Sequence, residues 1–269
     1  MAGLLVVLAD WGAVALLADE SPSNCRLDCY TVDSAVVHAD RIGFIAARLE
    51  TGLVSGGDEG TRRAPRLVSG WITPQASQTM SFGFTMDAVG GPPAGFEFAR
   101  TGGGAPGAWV VREDPSSPGN RILIQESADP TDYRFPLAIV QKGSFRDVTL
   151  SVRAKSVSGK VDQGFGVVWR YRDAGNYYIT RCNADENNCT IYHTVNGQRR
   201  AFQNKAIKVT KGTWHTLRLQ ATGRHFIVWF DGGKVLDATD GTFSDAGQVG
   251  LWTKADSVIQ FDDFTIEGH

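Results

Sequence analysis

Apolar and polar side chains alternate with a period of two through most of the chain after residue 82. In residues 147–154, Val148, Leu150, Val152 and Ala154 are separated by polar neighbours. This period is typical of strands that bury one face. Similar segments occur at residues 165–172, 177–183, 189–195, 215–221, 226–230, 235–238, 248–252 and 257–266.

Turn-forming residues separate these segments. Asp-Ala-Gly-Asn stands at residues 173–176, Asp-Gly-Gly at 231–233, and Asn-Gly, a strong hairpin signal, at 196–197. No long helical pattern lies between the segments. The sequence therefore predicts that residues 81–269 form one all-β, antiparallel sandwich of the jelly-roll type.

The first 80 residues follow a different pattern. Residues 33–49 have apolar side chains at helical spacing, and residues 55–66 have the composition of a linker. We therefore predict a helix plus linker in residues 21–80 that does not fold stably alone. Residues 1–20 resemble a degraded signal peptide, since the apolar run lacks a preceding Lys or Arg and contains Asp10. The alternative is a buried N-terminal helix, and the run is too short for a membrane span.

Composition narrows the function classes. The net charge is −2, which argues against a nucleic-acid partner, and 42% of the residues are hydrophobic, enough for a large core. Among the four cysteines, Cys182 and Cys189 flank a turn-rich run, so a hairpin would bring their sulfurs together. A disulfide there would suit an oxidising compartment, and two free thiols are the alternative. The cysteine spacing disfavours zinc.

Three stretches resemble a known superfamily: GVVWRYRDAGNYYITR at 166–181, GQVGLWTK at 247–254 and FDDF at 261–264. They are similar to blocks of bacterial secreted proteins of the concanavalin A-like lectin and glucanase (laminin-G-like) superfamily. Such proteins are often described as 3-keto-disaccharide hydrolase domains or as relatives of laminarinases. The resemblance covers about residues 96–266. It implies a concanavalin A-like jelly roll, a carbohydrate partner, and a secreted or periplasmic bacterial protein without a cofactor.

The acidic residues do not fit a laminarinase-type active site. Retaining glycosidases of this fold carry Glu-x-Asp-x-Glu on one strand, which sets two carboxylates about 5 Å apart, and this chain lacks that run. Asp185 and Glu186 fall in a predicted turn, where solvated carboxylates are the rule. Asp262 and Asp263 are predicted on opposite faces of the last strand, in structural roles or holding a structural calcium ion.

Cleavage of a 3-keto sugar needs only a base that removes a proton next to the carbonyl. His193 or His215 could supply that base. A lone histidine on a strand is more often packed or solvated, so neither is assigned a catalytic role.

Aromatic and planar hydrogen-bonding side chains cluster on two successive strands, as sugar recognition requires. The alternation places Arg170 and Arg172 opposite Trp169 and Tyr171. We predict a carbohydrate-binding groove with Lys254 and Asp256 at its border and lined by Arg170, Arg172, Tyr177, Arg181, Asn183 and Trp252. The alternative is that the arginines pair with acids on a solvated sheet.

Three functions therefore stand in order. The first is a secreted carbohydrate-recognising sandwich without a laminarinase-type active site. The second is a glycoside-cleaving enzyme of the 3-keto-disaccharide hydrolase type. The third is a laminin-G-like protein-interaction module.

Overall fold

The computed structural model describes residues 78–269 continuously, together with six short strands nearer the N-terminus. The chain divides into two compact units, Met1–Ala76 and Ser77–His269. The sandwich begins at Gln78, a few residues before the predicted boundary.

The short strands of the first unit form three antiparallel pairs. They are β1 (Leu5–Leu8) with β2 (Val14–Leu17), β3 (Val37–His38) with β4 (Arg41–Ile42), and β5 (Phe44–Ile45) with β6 (Ser69–Gly70). The described residues within 33–49 are thus strands where a helix was predicted. The rest of that range, the remainder of the predicted signal peptide and the linker lie outside the described residues.

The second unit is a sandwich of two antiparallel sheets, which confirms the predicted fold class. The eight-stranded sheet runs in the order β19-β18-β17-β12-β21-β10-β9, with β7 also paired to β21. Its strands are β7 (Gln78–Phe82), β9 (Trp109–Glu113), β10 (Arg121–Gln125), β12 (Val148–Ser158), β17 (Trp214–Thr222), β18 (His225–Phe230), β19 (Gly233–Thr239) and β21 (Val258–Gly268).

The seven-stranded sheet has the order β16-β15-β14-β13-β20-β11-β8. Its strands are β8 (Phe96–Gly102), β11 (Arg134–Val140), β13 (Gly164–Asp173), β14 (Asn176–Asn183), β15 (Asn188–Val195), β16 (Gln198–Ala206) and β20 (Gln248–Thr253).

The main core lies between the two sheets. In β12 and β17 the buried positions alternate with half-buried ones, as the period of two predicts. Leu150 and Leu219, for example, are opposite partners, and both are fully buried. Removing this apolar surface from water is the main force that holds the sheets together.

The seven-stranded sheet also carries a second, smaller core on its outer face, formed by Phe135, Leu137, Ile139, Val168, Tyr171, Tyr177, Ile179, Tyr192 and Trp252. The sheet curls so that its two edges meet over this face. From the β8–β11 edge, the Thr101 hydroxyl donates to the carbonyl oxygen of Ala174, and the Tyr133 hydroxyl donates to that of Gly197 at 2.8 Å. The outer face is therefore concave, and its rings are shielded from water.

A β-bulge at Arg170 reverses the side-chain alternation of β13. The pairing with both neighbouring strands shifts register there, and Arg170 has a φ of 48°. As a result, Trp169 packs between the sheets, whereas Tyr171 packs in the outer core. The prediction that these two rings share a face is wrong.

The described part of the chain contains no helix that is long and apolar enough to span a membrane.

Candidate functional site

Aromatic rings form the floor of the concave face. Trp252 and Phe135 stack with 5.3 Å between ring centroids, and both are fully buried. The Arg199 guanidinium lies over three rings, with its Cζ atom 4.3 Å from the centroid of Tyr192, 4.4 Å from that of Phe135 and 5.4 Å from that of Trp252. Contacts of this kind between a cation and a ring face are attractive.

A glycine makes room for the large side chains of this floor. Gly166 on β13 lies directly between Arg181 on β14 and Trp252 on β20 in the sheet. A Cβ atom at Gly166 would approach the Cβ atom of Arg181 to 3.0 Å and the carbonyl oxygen of Thr180 to 2.4 Å. Only glycine therefore lets the arginine and the indole lie side by side.

Arg181 is held by three side chains at the border of the floor. It donates to Glu186 at 2.6 Å, to the hydroxyl of Tyr192 at 2.9 Å and to the amide oxygen of Asn188. Burial works against the charge of Arg181, but the hydrogen bond and charge of Glu186 outweigh it, together with Tyr192, and raise the pKa of Arg181. Burial likewise opposes the charge of Glu186, and Arg181 outweighs it and lowers the pKa of that carboxyl group. This pair is ionised.

A second charged group borders the same floor. The Lys254 ammonium lies 2.9 Å from the buried carboxylate of Asp162 and 2.8 Å from that of Asp132, which is exposed. Asp162 also accepts a hydrogen bond from the amide of Asn183 at 2.9 Å. Burial raises the pKa of Asp162 above the ordinary value in spite of the lysine. Burial also opposes the charge of Lys254, but its two carboxylate partners outweigh this and raise its pKa.

Loop hydrogen bonds fix the two carboxyl groups of the border. The amide oxygen of Asn183 accepts the backbone N–H groups of Asp185 and Glu186, which sets the turn that carries Glu186. The carboxylate of Asp256 accepts the backbone N–H groups of Lys160, Val161 and Asp162, at 2.7 to 3.1 Å. Asn183 and Asp256 thus act as supports for groups that face the floor.

Several polar atoms of this face have no hydrogen-bond partner among the described residues. They are Nε of Arg181, Nη1 of Arg199, Nε1 of Trp252 and Oγ1 of Thr194. Arg181 is only 3% exposed, and Trp252 and Thr194 are fully buried. A buried polar atom without a partner costs about 1–3 kcal/mol, so such groups usually mark a strained or ligand-binding site.

Four of the six predicted groove residues lie together on this face: Tyr177, Arg181, Asn183 and Trp252. Tyr177 is structural at its hydroxyl, which bonds to Thr101 at 2.8 Å, and burial raises its pKa. Asn183 supports the turn described above. Arg181 and Trp252 point free N–H groups into the face.

Arg170 and Arg172 do not lie on this face, and that part of the predicted groove is wrong. Arg170 is buried on the opposite side of β13, where it donates to the carbonyl oxygens of Arg146, Gly223 and Phe243. Arg172 pairs with Asp245 at 2.9 Å and lies over the ring of Phe243. The bulge at Arg170 is the reason, because it turns both side chains away from Arg181.

Sequence reasoning missed Phe135, Tyr192 and Arg199 as parts of the floor, and Asp162 at its border. Arg199 belongs to β16, a largely polar strand that was not predicted. The available signal was the Asn-Gly turn at residues 196–197, which requires a returning strand after it.

Neither candidate histidine lies on the concave face. His215 is buried in the other sheet, with Nδ1 2.7 Å from the carboxylate of Asp231 and its ring against Phe230. His193 lies on the opposite face of β15, with Nδ1 3.2 Å from the hydroxyl of Thr242. Both positions are structural.

The pair of aspartates on the last strand is also structural. Asp262 is buried and accepts from Asn120 at 3.0 Å, whereas Asp263 is exposed and pairs with Arg153. Among the residues that the structure describes, no group of three or more His, Cys, Asp or Glu side chains is placed to hold a metal ion. A structural calcium ion stays a prediction.

Cys182 and Cys189 are directly opposite each other on β14 and β15 and form a disulfide. The hairpin that it closes carries Glu186 and Asn188, the two turn residues that bind Arg181.

Comparison with known proteins gives one family and a set of similar folds. The family described as "3-keto-alpha-glucoside-1,2-lyase-like domain" matches residues 104–267, more than half of the chain. The carbohydrate-binding module CBM66 from Bacillus subtilis is 20% identical, with a TM-score of 0.51 over 68% of this chain and 98% of that one. The GH43 protein BlXynB from Bacillus licheniformis is 15% identical, with a TM-score of 0.48 over 77% of this chain and 42% of that one.

These likenesses support the concanavalin A-like relationship and the jelly-roll fold. No match was found among curated protein sequences.

Proposed function

The chain belongs to the 3-keto-alpha-glucoside-1,2-lyase-like domain family, and from that premise we propose that the concave face of its seven-stranded sheet binds carbohydrate. The site consists of the aromatic floor (Phe135, Tyr192 and Trp252), Arg199 above it, and the charged border formed by Arg181, Glu186, Asp162 and Lys254. A sugar ring offers both an apolar face and hydroxyl groups, and this face offers a counterpart to each.

The observation that carries the proposal is the set of unpartnered N–H groups beside the aromatic rings. The Nε atoms of Arg181 and the indole of Trp252 can donate only, so their natural partners are acceptor oxygens. A sugar hydroxyl supplies such an oxygen and a C–H surface next to it. A purely apolar or protein-packing role for this face would leave these donors unpaired at a cost in stability.

A second candidate function is the cleavage of a 3-keto-glycoside, and the two carboxyl groups of the border favour it. Elimination requires a base that removes the proton from C2 while the C1–O bond breaks, and an acid that protonates the departing oxygen. Glu186 has a lowered pKa and so can accept a proton, whereas Asp162 has a raised pKa and so can donate one. The family description is consistent with this chemistry.

We also propose that the protein works outside the cytoplasm and has no laminarinase-type active site. The disulfide between Cys182 and Cys189 supports the first point, since such bonds persist in oxidising compartments. The absence of Glu-x-Asp-x-Glu from the sequence supports the second.

Two matched tryptophan variants test the proposed binding site. Trp252→Phe removes the free indole N–H and keeps a ring, so affinity for the sugar should fall by about three- to tenfold. Trp169→Phe is the control, because its indole is equally buried and also unpartnered but lies between the sheets. Binding is measured on a glycan array and then by calorimetry with the best glycan.

The same samples are incubated with 3-keto and ordinary disaccharides, and any released sugar is quantified. Release from the 3-keto substrate alone would establish the second function in addition to binding. Equal loss of affinity in both variants, or no binding to any glycan, would contradict the proposed site.

A further inference from the structure

The Arg199 guanidinium is a half-buried cation without a counter-ion. Its Nη1 atom has no hydrogen-bond partner, and within residues 78–269 no carboxylate forms an ion pair with it. The nearby acids are engaged elsewhere, since Glu186 binds Arg181, and Asp132 and Asp162 both bind Lys254. Burial of a charge without a partner is costly, so the free protein holds this group at the expense of stability.

The position of Arg199 makes that missing partner part of the carbohydrate site. The guanidinium lies flat over the Tyr192, Phe135 and Trp252 rings, with the second guanidinium of Arg181 5.7 Å from the centroid of Tyr192 on the same face. Tyr133 fixes the backbone of Arg199, because its hydroxyl accepts the N–H of that residue at 2.9 Å. The cation is therefore held in place and points into the floor.

We infer that the sugar recognised by this face carries a carboxylate group, as uronic acids do, and that Arg199 binds it. This inference rests on the proposed carbohydrate site and names the class of its ligand. A carboxylate matches the planar fork of a guanidinium in two parallel hydrogen bonds, and it supplies the one negative charge that the cluster lacks. The neighbouring aromatic floor holds the apolar face of the same sugar ring.

Arg199 and its neighbour Arg200 provide a matched pair of variants. Both are on β16, but Arg200 is exposed and is the partner of His193, whose side chain lies on the opposite face of the sheet. Arg199→Gln should abolish selectivity for the acid, whereas Arg200→Gln removes the same charge and should leave it unchanged. Arg199→Lys keeps the charge but loses the planar fork, so part of the selectivity should remain.

The decisive measurement is calorimetric titration of the full chain with oligogalacturonate and oligoglucuronate, each compared with its methyl ester. The ester has the same ring but no charge. The free acid should bind about tenfold or more tightly than the ester. Raising the salt concentration should weaken binding of the acid and spare that of the ester.

Equal affinity for acid and ester, or binding only to neutral glycans, would overturn the inference and leave the proposed function intact. Failure to bind any acidic or neutral glycan would overturn both. The comparison of acid with ester uses the unmodified protein, so it decides the question even if the Arg199 variants do not fold.

Discussion

Asp162 carries the largest electrostatic conflict of the site. It is almost fully buried, yet it contacts the ammonium of Lys254 and the amide of Asn183. Burial disfavours the charged form and raises the pKa of Asp162, while Lys254 opposes that rise. Because the native pKa lies above the unfolded one, the native state binds the proton more tightly. The contribution of this proton to stability is present below the unfolded pKa and is lost as the pH rises through the native pKa.

The role of Lys254 follows from the same balance. In the variant Lys254→Met, the pKa of Asp162 should rise further, since the cation that favours the carboxylate is gone. The ¹³C NMR titration of the Asp162 carboxyl group measures this directly. Lys155→Met is the control, because Lys155 lies over Trp214 on the other sheet. An unchanged or lower midpoint in Lys254→Met would show that the lysine does not hold this carboxyl group.

At the scale of elements, the hairpin β14–β15 links the main core to the site. Its disulfide packs between the sheets, while its turn carries Glu186 and Asn188 to Arg181 on the concave face. The double variant Cys182→Ala/Cys189→Ala should lower the free energy of unfolding by about 2 kcal/mol, because the unfolded chain regains the freedom of the closed loop. Urea unfolding without reductant measures the change.

Reductant provides the control for this prediction. It should destabilise the unmodified protein by a similar amount and leave the double variant unaffected, since the variant retains Cys25 and Cys29. A wild-type protein whose unfolding midpoint is insensitive to reductant under unfolding conditions would argue against a stabilising disulfide.

The same hairpin shows what the sequence can predict. The alternation in residues 177–183 assigned Tyr177, Arg181 and Asn183 to one face correctly, because β14 is regular. The alternation failed two residues into the bulge of the preceding strand, where Arg170 takes a left-handed conformation that is uncommon for a non-glycine residue. Nothing in the residue pattern around Arg170 signals such a reversal. The contacts that stabilise it are distant carbonyl oxygens, which only the folded structure brings together.

At the scale of the whole molecule, the curl of the seven-stranded sheet creates the site. Tyr133 and Thr101, near one edge, reach the turns at residues 173–176 and 196–197 near the other. This closure buries rings that would otherwise lie on an exposed sheet face. Residues as distant in sequence as Phe135 and Arg199 thus become neighbours, and no local pattern could have predicted that pair.

The concave face also differs in kind from the outer face of the other sheet. There, Trp214 and Trp229 lie beneath Arg153 and Arg218 on an uncurled surface, and both indoles are half-buried. The two faces therefore offer an internal comparison within one molecule, since each pairs tryptophan with arginine and only one is enclosed.

The central claim is that carbohydrate binds on the concave face, and the indole and guanidinium NMR signals test it most directly. On titration of ¹⁵N-labelled protein with the best-binding glycan, the Nε1–H signal of Trp252 and the Nε–H signals of Arg181 and Arg199 should shift, and those of Trp214 and Trp229 should not. Saturable binding that shifts the Trp214 and Trp229 signals and leaves that of Trp252 in place would contradict the account.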